Sequence, residues 1–583
     1  NKIRSRVAKW KKNGYPGASR ITLELLKQWN ESDRERRLFF CQLEAAETII
    51  WLTEAPASER QGIIIPEDSP SDPVSIEKGY SALKRYCCKM ATGSGKTVVM
   101  AMIIAWSILN KIYNKQDKRF SDAVLVVCPN LTVKERLSVL DPSNDNSYYE
   151  KFNLVPPSLI PSLSKGRIMV TNWHLFQPED DESKRGVVKR GPESDSAFCK
   201  RTLRELQSRG NILVINDEAH HAYRPAQHDD ALQRTLEEAK EQESEFEEAT
   251  VWINGLDRIN NALGINFCVD MSATPYYLQG SGHEEGSPIP WIGSDFGLVD
   301  AIESGIVKIP RVPVDTNSGR PIPEYFELWK WIMEKLPWSE RKTSRRGSKP
   351  EAVLSGADGA LSTLASEWKK TFDVWQKDNS SVPPVMIAVC DNTNLSELLA
   401  EKVASGRVLP ELKNEDGKEV TLRIDSKLIN EAESRIEETK KDKAAKLREK
   451  VSTVGKEGQP GAPIRCVVSV GMLTEGWDAQ NVTQILGLRA FKSQLLCEQV
   501  VGRGLRRTNY DDFTKPEYVD VYGIPFEVIP VAKSEPGEKQ QTRLGTKVMA
   551  LPERKNFEIR FPRVEGYIFD VRHKIICDVK SVP

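Results

Sequence analysis

Residues 91–97 read ATGSGKT and open an almost wholly apolar run that continues to residue 109. Gly93 and Gly95 carry no Cβ, so successive backbone N–H groups can curl around phosphate oxygens before a helix begins near Lys96. Thr92 and Ser94 complete that cradle. Lys96 supplies a point charge to terminal phosphates, and the Thr97 hydroxyl is placed to ligate magnesium. A plain Gly-Ser turn before a buried helix would explain the glycines. It would not explain Lys and Thr following them in that order.

Outward from this cradle, residues 211–216 (NILVIN) form a short apolar run of the kind that fills a parallel sheet buried on both faces. Residues 217–220 (DEAH) follow at its carboxyl end, where open α/β sheets hold their ligands. Asp217 would hold hydrated magnesium, and Glu218 would orient and deprotonate a water aimed at the γ-phosphorus of ATP. Taken alone, DEAH also reads as a solvated helix start capped by its aspartate. Downstream of a phosphate loop, the acid-pair reading prevails.

The chain has 583 residues, enough for three or four domains at the usual size. Lys+Arg and Asp+Glu both number 83, so no global basic field draws in a polyanion, and nucleic acid would need local patches. The ten cysteines are scattered, without CxxC pairs or histidine partners at metal spacing. They read as reduced thiols of a cytoplasmic protein. No signal peptide and no continuous apolar run of membrane-spanning length stand out, so a soluble protein without a membrane partner is expected. Both ends read as cut: residue 1 is Asn rather than Met, and Pro583 follows a strand-like segment at 565–579.

Strand candidates at 123–128, 168–171, 212–216 and 267–271 alternate with helical stretches, the pattern of a parallel sheet with crossover helices. A second series follows at 385–390, 420–424, 465–470, 483–488 and 518–522. Two tandem α/β lobes are the economical reading. The expected division is a lead-in at 1–60, a first lobe at 61–309, a proline-containing linker at 310–350, a second lobe at 351–530, and the start of a truncated β-rich region at 531–583. Charged tracts mark insertions. Residues 179–200 read as a mobile loop, and 236–248, with seven glutamates, as a solvated helix. The basic stretch 341–349 could lie on phosphates or in solvent, and 431–450 reads as a mixed-charge helix.

Ser272, Ala273 and Thr274 close a strand about fifty residues after DEAH. The Ser272 and Thr274 hydroxyls can bridge the magnesium-side acids to the other lobe, although a Ser-Ala-Thr-Pro turn has the same composition. His220 is grouped with this coupling set. In the second lobe, residues 499–507 (QVVGRGLRR) put Arg503 and Arg506 three apart, on one helical face if the helix continues. Brought to the first lobe's phosphates, two guanidiniums would neutralise transition-state charge as arginine fingers do. Gln499 joins them at the nucleotide. A surface basic patch is the competing reading, disfavoured by the presence of Lys96, Asp217 and Glu218.

MATGSGKT, DEAH, SAT and QVVGRGLRR together resemble the motif series of a superfamily 2 helicase, which implies two RecA-like lobes clamping ATP in their cleft. Residues 88–102, 126–137, 170–174, 215–225 and 467–507 further resemble the restriction (Res) subunit of type III restriction-modification enzymes, with similarity from about Arg36 to Arg507. That resemblance implies an ATP- and Mg2+-dependent motor on double-stranded DNA, partnered by a modification (methyltransferase) subunit and followed by a nuclease domain. It implies adenine recognition by Phe39 and Gln42, the Gln amide bonding both ways. Pro129, Thr132, Thr171 and Asn172 are implied to grip one strand by its backbone, largely blind to sequence. Glu475, Gly476 and Asp478 are implied to link the second lobe's nucleotide edge to DNA. Asp425 stands where the family pattern leads one to expect histidine, leaving that position without an assigned role.

A restriction-type nuclease needs two acids and a lysine around magnesium. Asp570, Asp578 and Lys580 echo that set, but their tight spacing fits a β-hairpin with polar outward residues equally well. The expectation is a DNA-dependent ATPase and translocase that does not itself cleave DNA. An RNA helicase and a nucleotide-gated binding module without turnover are the alternatives.

Overall fold

The computed structural model describes residues 1–178, 193–206, 209–225, 236–277, 281–313, 324–341, 348–424, 446–470, 477, 479–491, 494–513, 515–526 and 555–556, with backbone alone at 236–245. The expected loop at 179–192, the basic residues 342–347, the mixed-charge residues 431–445, Asp425, Glu475, Gly476, Asp478, Asp570, Asp578 and Lys580 lie outside them. The chain divides into two units, Asn1–Ile529 and Pro530–Pro583. The second contains only residues 555–556 of those described, and all that follows concerns the first.

Twelve strands build two six-stranded sheets, each wholly parallel among the described pairings. The first contains β1 (Arg85–Met90), β2 (Ala123–Cys128), β3 (Arg167–Asn172), β4 (Ile212–Asp217), β5 (Ile265–Ser272) and β6 (Ile292–Phe296), in the order β3-β2-β4-β5-β1-β6. The second contains β7 (Ile309–Arg311), β8 (Val385–Cys390), β9 (Thr421–Ile424), β10 (Cys466–Val470), β11 (Val482–Leu488) and β12 (Tyr518–Tyr522), in the order β7-β12-β11-β8-β10-β9. These are two tandem RecA-like lobes. In each sheet a fully buried strand, β2 (AVLVVC) in the first and β8 (VMIAVC) in the second, is wholly apolar, as a sheet covered on both faces requires.

Three strands escape the apolar pattern. β1 (RYCCKM) carries two cations, β6 (IGSDF) has a single aliphatic residue, and β7 (IPR) has a proline. Pro310 is accommodated because β7 is an edge strand, pairing on one side with β12. The segment expected as a linker from 310 therefore begins inside the second sheet. The tract expected as a loop to residue 200 ends earlier than its charge suggested. Ser194 caps a helix Asp195–Thr202 by accepting from the Ala197 N–H, and Phe198 is buried there with the Arg258 guanidinium 4.0 Å above its ring.

Behind the phosphate loop, the helix Lys96–Tyr113 is apolar all round, and residues 98–110 are buried. By length and hydropathy it could cross a membrane, contrary to the expectation that no such run exists. Here its surface is covered by the lead-in helices Arg20–Trp29 and Phe40–Glu54 and by the short helices Leu137–Leu140, Tyr148–Lys151 and Ile160–Leu163. The lead-in is tied in by a buried polar knot. Glu54 accepts from the Trp106 indole at 2.7 Å, the Thr22 hydroxyl at 2.6 Å and the Ser19 N–H at 2.6 Å.

Arg85 explains how a cation fits in a core strand. It is fully buried, bonded to Asp68 at 2.9 Å and Asp270 at 2.8 Å, donates to the Ala222 carbonyl at 2.7 Å, and lies 4.5 Å from the Trp291 ring centre. Those two carboxylates hold it charged despite burial, pushing its pKa upward.

Candidate functional site

Sheet register lines the sequence motifs up at the carboxyl ends of three neighbouring strands. Asp217 on β4 stands beside Met271 on β5, and Ser272 beside Lys89 on β1, two residues before the phosphate loop. Gly93 and Gly95 adopt φ of 85° and 89°, left-handed values open to residues without a Cβ. A Cβ on Gly95 would meet Gln42 Nε2 at 2.0 Å. The Ser94 side chain is turned inward, donating to the Ala91 carbonyl at 2.6 Å. Lys96 and Thr97 occupy the first turn of the helix that follows.

Lys96 Nζ lies 3.0 Å from Glu218 Oε1. Glu218 itself has φ 50° and ψ 48°, a left-handed conformation that costs a residue with a Cβ and is typical of functional turns. Asp217 is 1% exposed. Its Oδ1 accepts from the Glu218 N–H at 3.1 Å, while Oδ2 is buried and accepts no hydrogen bond among the described residues. Burial first, and the adjacent Glu218 charge second, push the Asp217 carboxyl upward, against the pull of Lys96 and Arg136. A buried carboxylate oxygen with an open acceptor, next to a glycine cradle and a threonine hydroxyl, fits a magnesium ion that keeps most of its water. Among the described residues no three His, Cys, Asp or Glu side chains cluster as an all-protein metal cage.

The coupling residues meet beside this acid pair. His220 Nδ1 lies 3.0 Å from Ser272 Oγ, which also accepts from the Thr274 N–H at 3.0 Å, and His220 is 3.7 Å from Glu218 Oε2.

The second lobe reaches the cradle through the helix Gln494–Gly504. Ala91, Thr92, Glu218, His220 and Thr274 share one cleft with Gln499, Arg503 and Arg506. A Cβ on Gly93 would come within 3.5 Å of Arg506 Cγ, and one on Gly502 within 3.2 Å of Thr92 Oγ1. Arg503 is helical, but Arg506 lies past the helix end, so the two do not share a helical face. The chain leaves the helix there because the Leu505 carbonyl accepts from the Lys308 N–H at 2.7 Å, joining it to the segment between the lobes. Arg506 Nη1 then donates to the Trp477 carbonyl at 3.1 Å.

Gln42 uses its amide in both directions, on protein. Oε1 accepts from the Phe39 N–H at 2.9 Å, and Nε2 donates to the Ser94 carbonyl at 3.2 Å. Phe39 packs with Tyr510 and Phe513 of the second lobe, ring centres 6.0 Å apart in each case. At the other edge of the first sheet, Pro129 and Thr132 follow β2, and Thr171 and Asn172 end β3. Thr171 is 2% exposed with its hydroxyl on the Asn172 carbonyl, and Asn172 is 9% exposed with its amide 3.2 Å from His174 Nδ1. As placed, both offer little surface to a strand; Thr132 is half-buried.

Two charged cleft residues, Arg136 and Glu498, and a buried neighbour, Arg507, were not singled out from the sequence. Arg136 ends the helix Leu131–Arg136 with Nη2 3.6 Å from Asp217 Oδ2. Glu498 lines the cleft beside Gln499, its carboxyl pushed upward by burial and drawn down by Lys89. Arg507 is buried and donates to the carbonyls of Gly305, Asn509, Asp512 and Lys515, fixing the loop after Arg506. For Glu498, adjacency to Gln499 was the available signal. Arg136 depends on a contact distant in sequence, whereas of the four carbonyls around Arg507 only that of Gly305 is distant.

Residues 36–277 match the family model described as type III restriction enzyme, res subunit. No match to a curated protein was found. Among solved structures, the chain is similar to a fragment assigned to an HsdR subunit of a type I restriction enzyme from Vibrio vulnificus YJ016, at 16% identity, covering 88% of this chain and 68% of that one, TM-score 0.38. It is similar to the helicase Lhr of Mycobacterium smegmatis bound to ssDNA and AMP-PNP, at 13% identity, covering 83% and 47%, TM-score 0.37. A third is the DEAD-box helicase Mss116 bound to ssRNA, at 10% identity, covering 88% and 75%, TM-score 0.35. The chain spans about half the length of the Lhr chain.

Proposed function

We propose that this chain is an ATP-hydrolysing motor that acts on double-stranded DNA, of the kind that drives type III restriction enzymes, and that it works with a modification subunit. The observation that carries the reading is the cleft in which Thr92, Glu218 and His220 of one lobe face Gln499, Arg503 and Arg506 of the other, with Lys96 Nζ 3.0 Å from Glu218 Oε1.

The glycine turn and Lys96 bind the phosphates, and Thr97 and Asp217 hold the metal. Magnesium held there would supply positive charge to neutralise the phosphates. Glu218 orients a water and takes its proton as the water oxygen bonds to the γ-phosphorus and the bond to ADP breaks. Arg503 and Arg506 balance charge on the transferring group. His220, Ser272 and Thr274 carry the state of that site toward the second lobe. Pro129, Thr132, Thr171 and Asn172 mark the strand ends from which a nucleic-acid backbone would be held, once their edge of the sheet rearranges.

Phosphate release measured with duplex DNA, single-stranded DNA and RNA tests the reading. Stimulation by duplex DNA is expected. Stronger stimulation by RNA would favour an RNA helicase, and nucleotide binding without release would leave a switch rather than a motor.

A further inference from the structure

Residues 129–137 (PNLTVKERL) leave β2 and turn at once into the short helix Leu131–Arg136, capped by Asn130, whose side chain accepts from the Val133 N–H at 3.0 Å. Thr132 and Arg136 are four residues apart in this helix and so lie on one face, about 6 Å apart along its axis. Thr132 sits in the first turn, at the end assigned above to nucleic acid. Arg136, in the last turn, lines the ATP cleft together with Thr92, Glu218, His220, Arg503 and Arg506. Its Nη2 lies 3.6 Å from Asp217 Oδ2, an ion-pair distance too long for a hydrogen bond. That oxygen is the one with acceptor capacity to spare.

We propose that Arg136 gates the metal site: its guanidinium competes with a divalent cation for Asp217 Oδ2, and nucleic acid held at the Thr132 end of the same helix withdraws it. The inference rests on the functional reading above. A guanidinium and a metal ion cannot both neutralise one carboxylate oxygen at close range, so the position of this helix sets the affinity of the site for its cation. The helix is six residues long and lies outside the sheet, so it can shift as a unit without breaking strand pairing. A ligand that binds only the shifted position tightens metal binding by its differential affinity, and metal tightens nucleic-acid binding by the same factor. Arg136 is thus a positioning residue acting through Asp217.

The test is Mn2+ affinity in the presence of ADP, read by electron paramagnetic resonance, for the full chain and for R136A and R136K, each with and without duplex DNA. The wild type should bind Mn2+ more tightly when DNA is present. R136A should bind it on the order of tenfold more tightly without DNA and lose the DNA effect, a typical size for coupling between sites. R136K, which keeps a cation, should stay near the wild type. Unchanged or weakened Mn2+ affinity in R136A, beside a wild type that binds normally, would overturn the gate alone. Failure of the wild type to bind Mn2+ with ADP would overturn the ATP-site reading itself.

Discussion

Lys96 Nζ and Glu218 Oε1 lie 3.0 Å apart, joining the first turn after the phosphate loop to the acid that follows β4. Each partner is assigned a separate task on ATP, so their variants should fail differently. K96A should lower hydrolysis at least about a hundredfold and weaken nucleotide binding, since a charge aimed at the phosphates is gone. E218Q should hold nucleotide at close to normal affinity with a comparable loss of turnover. Nucleotide-binding titrations beside phosphate release separate the two, and normal turnover in either variant would contradict the roles.

Gly95 is required twice over, by its φ of 89° and by the Gln42 amide against it. G95A should destabilise the protein by about 1–3 kcal/mol from backbone strain alone and disturb the cradle. Adding Q42A removes the steric part and leaves the strain, so urea midpoints should recover only partly in the double variant. Full recovery would show that φ at this position is not a constraint.

The His220 to Ser272 contact of 3.0 Å connects the acid pair to the end of β5. S272A should leave ATP binding intact and reduce movement along duplex DNA relative to hydrolysis. Triplex displacement and phosphate release, measured on the same samples, give that ratio. An unchanged ratio would remove the coupling role.

Arg85 is a buried cation between two carboxylates. R85M leaves Asp270 buried without a cation, while Asp68 keeps Arg224 at 2.9 Å, and should cost about 3–5 kcal/mol by denaturant unfolding. The lesion should also loosen the segment after DEAH, because Arg85 holds the Ala222 carbonyl. A change below about 1 kcal/mol would mean that water reaches these acids.

Strands β2, β4, β5, β8, β10 and β11 were legible because their apolar runs reflect burial on both faces, while the edge strands β3 and β9 and the partly buried β12 stood out only as short apolar runs. β1 was hidden by Arg85 and Lys89, whose charges are compensated by Asp270, Asp68 and Asp295, all remote or unremarkable in the sequence. The cradle and acid pair were legible because each is a local pattern with its own chemistry. Arg506 was readable as a residue of the cleft but not as one off the helix, since a backbone bond from Lys308 ends that helix. Arg136 was illegible for the same reason: its partner, Asp217, is 81 residues away (217 minus 136).

The central claim is that guanidiniums of the second lobe complete an ATP site built by the first, and single-turnover hydrolysis by R503A and R506A with duplex DNA tests it most directly. The account predicts losses on the order of a thousandfold in the chemical step for at least one of them, as for other arginine fingers, with nucleotide still bound. Wild-type rates in both variants would contradict it.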